Sequence, residues 1–187
     1  GLYGLLPAVL RAKLNVNEVL TTLMLNYIAI LWITFLVYGP WRDPKGYGFP
    51  LSPPFPSSGI LPAVPGTRIH IGLIVGFVAA ALVYILLNKS KLGFEIRVAG
   101  ESPAAAKYAG MSYLTIVSLV MLVSGGLSGL AGLSVVSGMI GVLRPEISPG
   151  YGYTAIIVAW LATLNPWLII PASILFGGLL VAGDVLQ

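Results

Sequence analysis

The apolar positions fall into long runs separated by polar breaks. Residues 19–38, VLTTLMLNYIAILWITFLVY, and 69–88, IHIGLIVGFVAAALVYILLN, are each twenty residues of nearly unbroken hydrophobicity. A helix needs about 20 such residues to cross a hydrocarbon core of about 30 Å, so both predict membrane spans. Residues 113–136, YLTIVSLVMLVSGGLSGLAGLSVV, predict a third. The pattern then changes. Residues 153–164, YTAIIVAWLATL, are apolar but too short to cross, Asn165-Pro166 follows, and 167–186 form a last apolar run. Proline disfavours helix in the residue before it, so this region predicts a discontinuous or re-entrant helix near 153–187. Non-helical backbone at membrane depth persists only where protein or a wet cavity satisfies it. The expected fold is all-α: a polytopic transmembrane helical bundle in one domain.

The connections differ in kind. Residues 39–68 are rich in Pro, Gly and Ser, which remove donors and favour turns, so little regular structure is expected there. Trp41, Tyr47 and Phe49 can rest on headgroups as an aromatic belt or be incidental to a solvated loop. Residues 93–111, GFEIRVAGESPAAAKYAGM, are instead compact and helix-capable. Ser102 can cap a helix, Pro103 suits the first helical position, Ala104, Ala105 and Ala106 have the highest helix propensity, and Gly110 can take the left-handed turn that ends it. A helix of about two turns is marginal alone, so it is expected to pack against something. A plain, well-capped connector is the alternative.

Composition narrows the class. Of 187 residues 57% are hydrophobic and 9% charged, and the mean hydropathy is +0.95. Soluble domains carry about 25% charged residues. The net charge of +4 is spread over loops and forms no repeating basic face, which argues against nucleic acid as a partner. There is no cysteine, and His70 with the few carboxylates forms no metal-ligand cluster. The opening GLYGLLPAVL is too short to span and reads as the tail of a helix that starts outside the sequence, so the chain is expected to be part of a longer protein. No signal peptide is recognisable. Arg11, Lys13, Lys89, Lys91, Arg97 and Lys107 fall on one side of the bundle, in short loops, and Arg42, Lys45, Arg68 and Arg144 on the other. The excess of basic residues close to span ends assigns residues 1–17 and 89–111 to the cytoplasm and 39–68 to the outside.

The segment GFEIRVAGESPAAAKYAGM resembles the cytoplasmic loop of ABC importer permeases of the branched-chain amino acid, simple sugar and nucleoside group. NVNEVLTTLMLNYIA at 15–29, LRPEISPGYGYTAIIVAWLATLNPW at 143–167 and LFGGLLVAGDVLQ at 175–187 resemble the nucleoside and simple-sugar branch. Val98-Ala99 reverses the usual order, and Ala162 stands where glycine is usual. The resemblance implies a permease subunit in a prokaryotic plasma (inner) membrane, with these partners: a second permease subunit, a cytoplasmic ATPase that binds ATP and Mg, an extracytoplasmic substrate-binding protein and membrane lipid. It implies that residues 101–110 form the coupling helix, with Arg97, Glu101, Lys107 and Tyr108 beside the ATPase. The chain itself has no G-x-x-x-x-G-K-[ST] nucleotide loop, so no cofactor and no catalytic residue are expected on it. A secondary transporter or channel, or a branched-chain amino acid permease of the same group, are the alternatives.

Five polar residues are candidates for a translocation path: Thr22, Asn26, Tyr151, Tyr153 and Asn165. Glu18, Thr22 and Asn26 share a helical face. Polar residues in spans face a bundle interior or cavity, or bridge helices by hydrogen bonds; for Glu18 the bridging reading is preferred. Asp184 near the end of the last run can simply mark the membrane surface. Tyr151 and Tyr153 in the Gly-rich PGYGYTAI can stack on a sugar or base, although interfacial anchoring is the preferred reading. Ser124, Ser128 and Gly132, with Gly125 and Gly129, repeat every four residues and predict close helix packing, or a sliding surface; Ser173/Gly177 and Gly178/Ala182 repeat this more weakly.

Overall fold

In the computed structural model, residues 1–46, 48–62, 66, 70–148 and 150–186 are described, the side chain of Asp184 excepted. Tyr47, Arg68 and Pro149, and the acid of Asp184, therefore lie outside the described residues. The elements are α1 (Leu5–Leu14), α2 (Glu18–Tyr38), α3 (Gly72–Lys89), α4 (Lys91–Glu101), α5 (Pro103–Tyr108), α6 (Tyr113–Val135), α7 (Tyr151–Leu161) and α8 (Pro166–Val185), with no strand among the described residues. α2, α3, α6 and α8 are each long and apolar enough to cross a membrane. α7, at 11 residues, is about 16 Å long and is not. It packs on α8, so the region around Asn165 is a helical hairpin of one short and one long arm.

The small-residue stripe in α6 meets the start of the chain. Gly125 lies against Gly1 and Gly4, and a Cβ added at Gly4 would stand 2.7 Å from the Met121 carbonyl oxygen. The close approach is therefore made by GLYG on one side and Gly125 on the other. Gly129 and Gly132 face open space, as do Gly177 and Gly178 of α8. The hydroxyl of Ser128 donates to the Ser124 carbonyl of its own helix at 3.0 Å. α6 continues without a break into a wider π turn, Val136–Ile140, which ends at Gly141 with φ 71°.

The Pro-rich segment is more ordered than its composition suggests. Prolines at 53, 54, 56 and 62 offer no N–H, yet the donors between them find partners on the segment after α6. Ser52 N–H donates to the Leu143 carbonyl (2.9 Å), Phe55 N–H to Gly141 (2.9 Å) and Leu61 N–H to Ser137 (3.0 Å). In return the Leu143 N–H donates to the Ser52 hydroxyl oxygen at 2.8 Å, and Ser52 is buried. A 3-10 turn, Ser57–Gly59, lies within the segment. Trp41 and Phe49 are exposed, as a belt or a solvated loop would both have them.

α4 is the main departure from expectation. The expected helix covered only residues 101–110, but Ser90 caps residues 91–101 as a second one, its hydroxyl oxygen accepting from Gly93 N–H at 3.0 Å. Gly93 is required for contact rather than for flexibility. A Cβ there would collide with the carbonyl groups of Leu86 and Leu87 in the last turn of α3, whereas one at Gly100 would meet open space.

Three outcomes follow for the intact protein in detergent. Gly93→Ala forces backbone apart and lowers stability by about 1–3 kcal/mol, read as a lower thermal midpoint. Gly100→Ala, in the same helix, is neutral or raises it by about 0.5–1 kcal/mol. Ser52→Ala leaves the Leu143 N–H without a buried acceptor, costs about 1–3 kcal/mol locally, and makes the segment before α3 more susceptible to limited proteolysis.

Candidate functional site

The polar segment between α3 and α6 folds into two helices meeting at Ser102. The Ser102 hydroxyl oxygen accepts from Ala105 N–H at 3.2 Å, and Pro103 occupies the first turn, where its missing donor costs nothing. The other end of α5 closes with two crossed bonds: Met111 N–H to the Ala106 carbonyl (2.9 Å) and Gly110 N–H to Lys107 (3.1 Å). This is the Schellman ending, and it needs the left-handed residue that Gly110 supplies with φ 75°. Six residues so capped at both ends form a short, well-defined stub.

One face of the stub is anchored and the rest is open. Ala106 is fully buried and forms a core with Ala99 of α4 and Ile116 of α6, flanked by Ile96, Val98, Met111 and Tyr113. Ala104, Ala105 and Lys107 are exposed, and Tyr108 is 94% exposed. The expected alanine face is thus divided: Ala106 joins α5 to the bundle and the other two look outward. Glu101 is exposed at the end of α4. Arg97 is engaged within the chain, its guanidinium donating to the Leu87 carbonyl at 3.0 Å and to Gly93 at 3.4 Å, where it covers the carbonyl end of α3.

The candidate path residues do not converge on one cavity. Asn26 is exposed on α2. Thr22, one turn earlier, donates to the carbonyls of Glu18 and Val19 in its own helix (2.8 and 3.0 Å). Glu18 pairs with Arg11 across the α1–α2 turn at 3.2 Å; both side chains are about one-third exposed, so the pair contributes only about 0–1 kcal/mol. Tyr3, which the sequence reading passed over, donates from its hydroxyl to the Leu25 carbonyl at 2.8 Å and pins α2 beside Asn26. A tyrosine within reach of a glycine-rich helix start was its only sequence signal.

Asn165 has a local task. Its side-chain oxygen accepts from Trp167 N–H at 3.1 Å and caps α8, with Pro166 next in the first turn. The turn before it carries strain. Thr163 and Leu164 have φ 49° and 57°, and a β-branched residue rarely adopts that conformation. The bonds Thr163 N–H to Trp160 and Leu164 N–H to Ala159, both 2.9 Å, hold the turn in place. Tyr151 and Tyr153 are exposed at the start of α7, where Ser148 accepts from the Tyr151 N–H at 3.2 Å.

A cleft of about 650 Å³ separates α3, α6 and α8, lined by small and aliphatic residues such as Gly76, Ala79, Ala80, Ala131 and Ile169. His70 and Ser134 are the polar residues on its wall. His70 Nδ1 accepts from Gly72 N–H at 3.2 Å, and the imidazole ring lies against Gly138 in the π turn, leaving no room there for a Cβ. No cluster of three or more metal-ligating side chains occurs among the described residues.

The relatives that this chain matches include transporter subunits. It is 35% identical to the glucose ABC transporter permease protein TsgB13 of Haloferax volcanii, over 97% of this chain and 50% of that protein. It is 32% identical to the guanosine ABC transporter permease protein NupP of Bacillus subtilis, over 96% and 52%. It is 31% identical to the nucleoside ABC transporter permease protein NupB of Lactococcus lactis, over 92% and 50%. The chain therefore spans about half the length of the curated relatives it matches. No solved structure matches. The branched-chain amino acid transport system / permease component family matches residues 1–187, the whole chain, and with its four span-length helices this multi-pass membrane protein belongs to that family.

Proposed function

We propose that the chain is part of the permease subunit of an ATP-driven importer that moves nucleosides or simple sugars across the plasma membrane of a prokaryote. The permease performs no chemistry itself. A separate cytoplasmic ATPase binds ATP and Mg, a second permease subunit completes the path, and an extracytoplasmic binding protein delivers the cargo. Residues 89–111 face the cytoplasm in this reading, which agrees with the basic residues near those span ends. The printed names of relatives matched over nearly the whole chain support the cargo class.

The coupling role rests on one observation: α5 is fixed to the bundle through Ala106 and otherwise exposed. A six-residue helix would not hold in water without such an anchor. Displacement of its exposed face reaches Ile116 of α6 and Ala99 of α4 through close-packed contacts, so a push from a partner moves the spans rather than bending a loop. Tyr108 and Lys107 are the groups with which a partner would engage it.

Co-purification with the ATPase from native membranes tests this. Tyr108→Ala removes an exposed aromatic anchor and costs about 2 kcal/mol of docking, roughly a 30-fold loss of affinity, while the permease keeps its thermal midpoint. Lys107→Glu weakens docking further and makes it depend on salt. Wild-type ATPase retention in both variants overturns the coupling role. Asn26→Leu is expected to lower cargo uptake while leaving ATPase retention unchanged, because it alters the α2 face and leaves α5 intact. Undiminished uptake removes Asn26 from the path.

A further inference from the structure

The proposed function uses only the far end of α4, at Ala99, and leaves its first turns without a role. Its depth is fixed from two sides. Gly93 rests on the carbonyls of Leu86 and Leu87, and Arg97 in the next turn reaches Leu87 again, so the first turns of α4 lie beside the end of α3. On the other side Leu92 and Ile96 border a small crevice with Ile116 and Leu119 of α6. Leu119 is six residues past Tyr113, about 9 Å along that helix. α4 therefore begins alongside the ends of two spans, at the depth where hydrocarbon gives way to headgroups.

The outward side of that first turn has the matching chemistry. Phe94 is 59% exposed and Leu92 40%. Lys89 and Lys91 are exposed beside them, and neither is paired with a carboxylate among the described residues. Glu95 is turned to the crevice with Ser112 and Thr115, and Glu101 is at the far end of the helix. An exposed aromatic side chain flanked by exposed lysines is the chemistry by which interfacial helices hold a membrane surface.

We propose that α4 is an interfacial helix whose first turn, through Phe94 and Lys91 and together with Lys89 at the end of α3, binds the anionic phospholipid headgroups of the leaflet at which α3 ends. That this leaflet is the cytoplasmic one rests on the proposed function; the lipid contact does not. The polar segment then divides its partners, with α4 held by lipid and α5 left for protein.

The test uses the intact permease in nanodiscs, on a cysteine-free background, with a fluorophore at Phe94→Cys or Tyr108→Cys. The label at 94 is expected to be quenched by a nitroxide near the lipid headgroup and shielded from aqueous iodide, and the label at 108 the reverse. Adding the ATPase shields 108 and leaves 94 unchanged. Lys89→Gln with Lys91→Gln lowers phosphatidylglycerol retention over phosphatidylcholine, read by native mass spectrometry, by about fivefold for each lysine removed. Iodide reaching 94 as freely as 108, ATPase shielding of 94, or unchanged phosphatidylglycerol retention in the double variant overturns the proposal. The lipid readouts need neither ATP nor cargo, so their failure is distinguishable from failure of the importer reading.

Discussion

Each break between the helices must satisfy its own backbone, because a hydrocarbon surrounding supplies no water to do so. Asn17, Ser90, Ser102 and Asn165 each accept a bond from a free N–H at a helix start. Crossed bonds close α5 and α7, and a π turn with a left-handed glycine closes α6. The Pro-rich segment meets the same demand by donating from Ser52, Phe55 and Leu61 to carbonyls in and just after that π turn. These satisfied ends fix where each span stops, and so fix what the bundle can present at its two surfaces.

At one surface they produce a rigid corner. Gly93 lets the backbone of α4 lie on α3, Arg97 covers the carbonyl end of α3, and Ala99, Ala106 and Ile116 lock α4, α5 and α6 together. Small side chains recur at each contact because the interaxial distance is short, and a short distance leaves little room for independent motion. A helix held this way is suited to transmit displacement, which is what the proposed coupling requires of it. Gly93 acts here by removing bulk, whereas Gly110 supplies a left-handed backbone.

Much of this could be read from the chain, and what could not has identifiable causes. Long apolar runs fixed the four span-length helices to within a few residues, since hydropathy over twenty positions is a strong signal. The caps at Ser102, Pro103 and Gly110 were legible because they depend on neighbours in sequence. α4 was not separated from the connection around it, and the purpose of Gly93, a backbone contact with α3, appears only in three dimensions. The partner of Gly125 was hidden for the same reason: Gly1 and Gly4 lie more than a hundred residues away. Asn165 was read for its polarity when its oxygen is already committed to the α8 start.

The apolar cleft and the α2 face can be separated by what each could hold. A nucleoside or sugar brings several hydroxyls, and each must regain a hydrogen bond lost from water, or the transfer costs about 1–3 kcal/mol per group. The cleft offers only His70 and Ser134 at one end, and each already makes one bond within the chain: Nδ1 accepts from Gly72, and the Ser134 hydroxyl donates to Leu130 at 2.9 Å. Its remaining wall is aliphatic and built from small residues, which admit another helix far better than a polar solute. α2 has the opposite character. It carries bulky Leu20, Met24, Tyr27 and Leu31 exposed on its surface, yet among them Asn26 keeps an amide with no hydrogen bond to the described residues. Lipid suits the bulky residues, but an unsatisfied amide in lipid is costly, which supports the proposal that the α2 face around Asn26 meets the cargo rather than lipid.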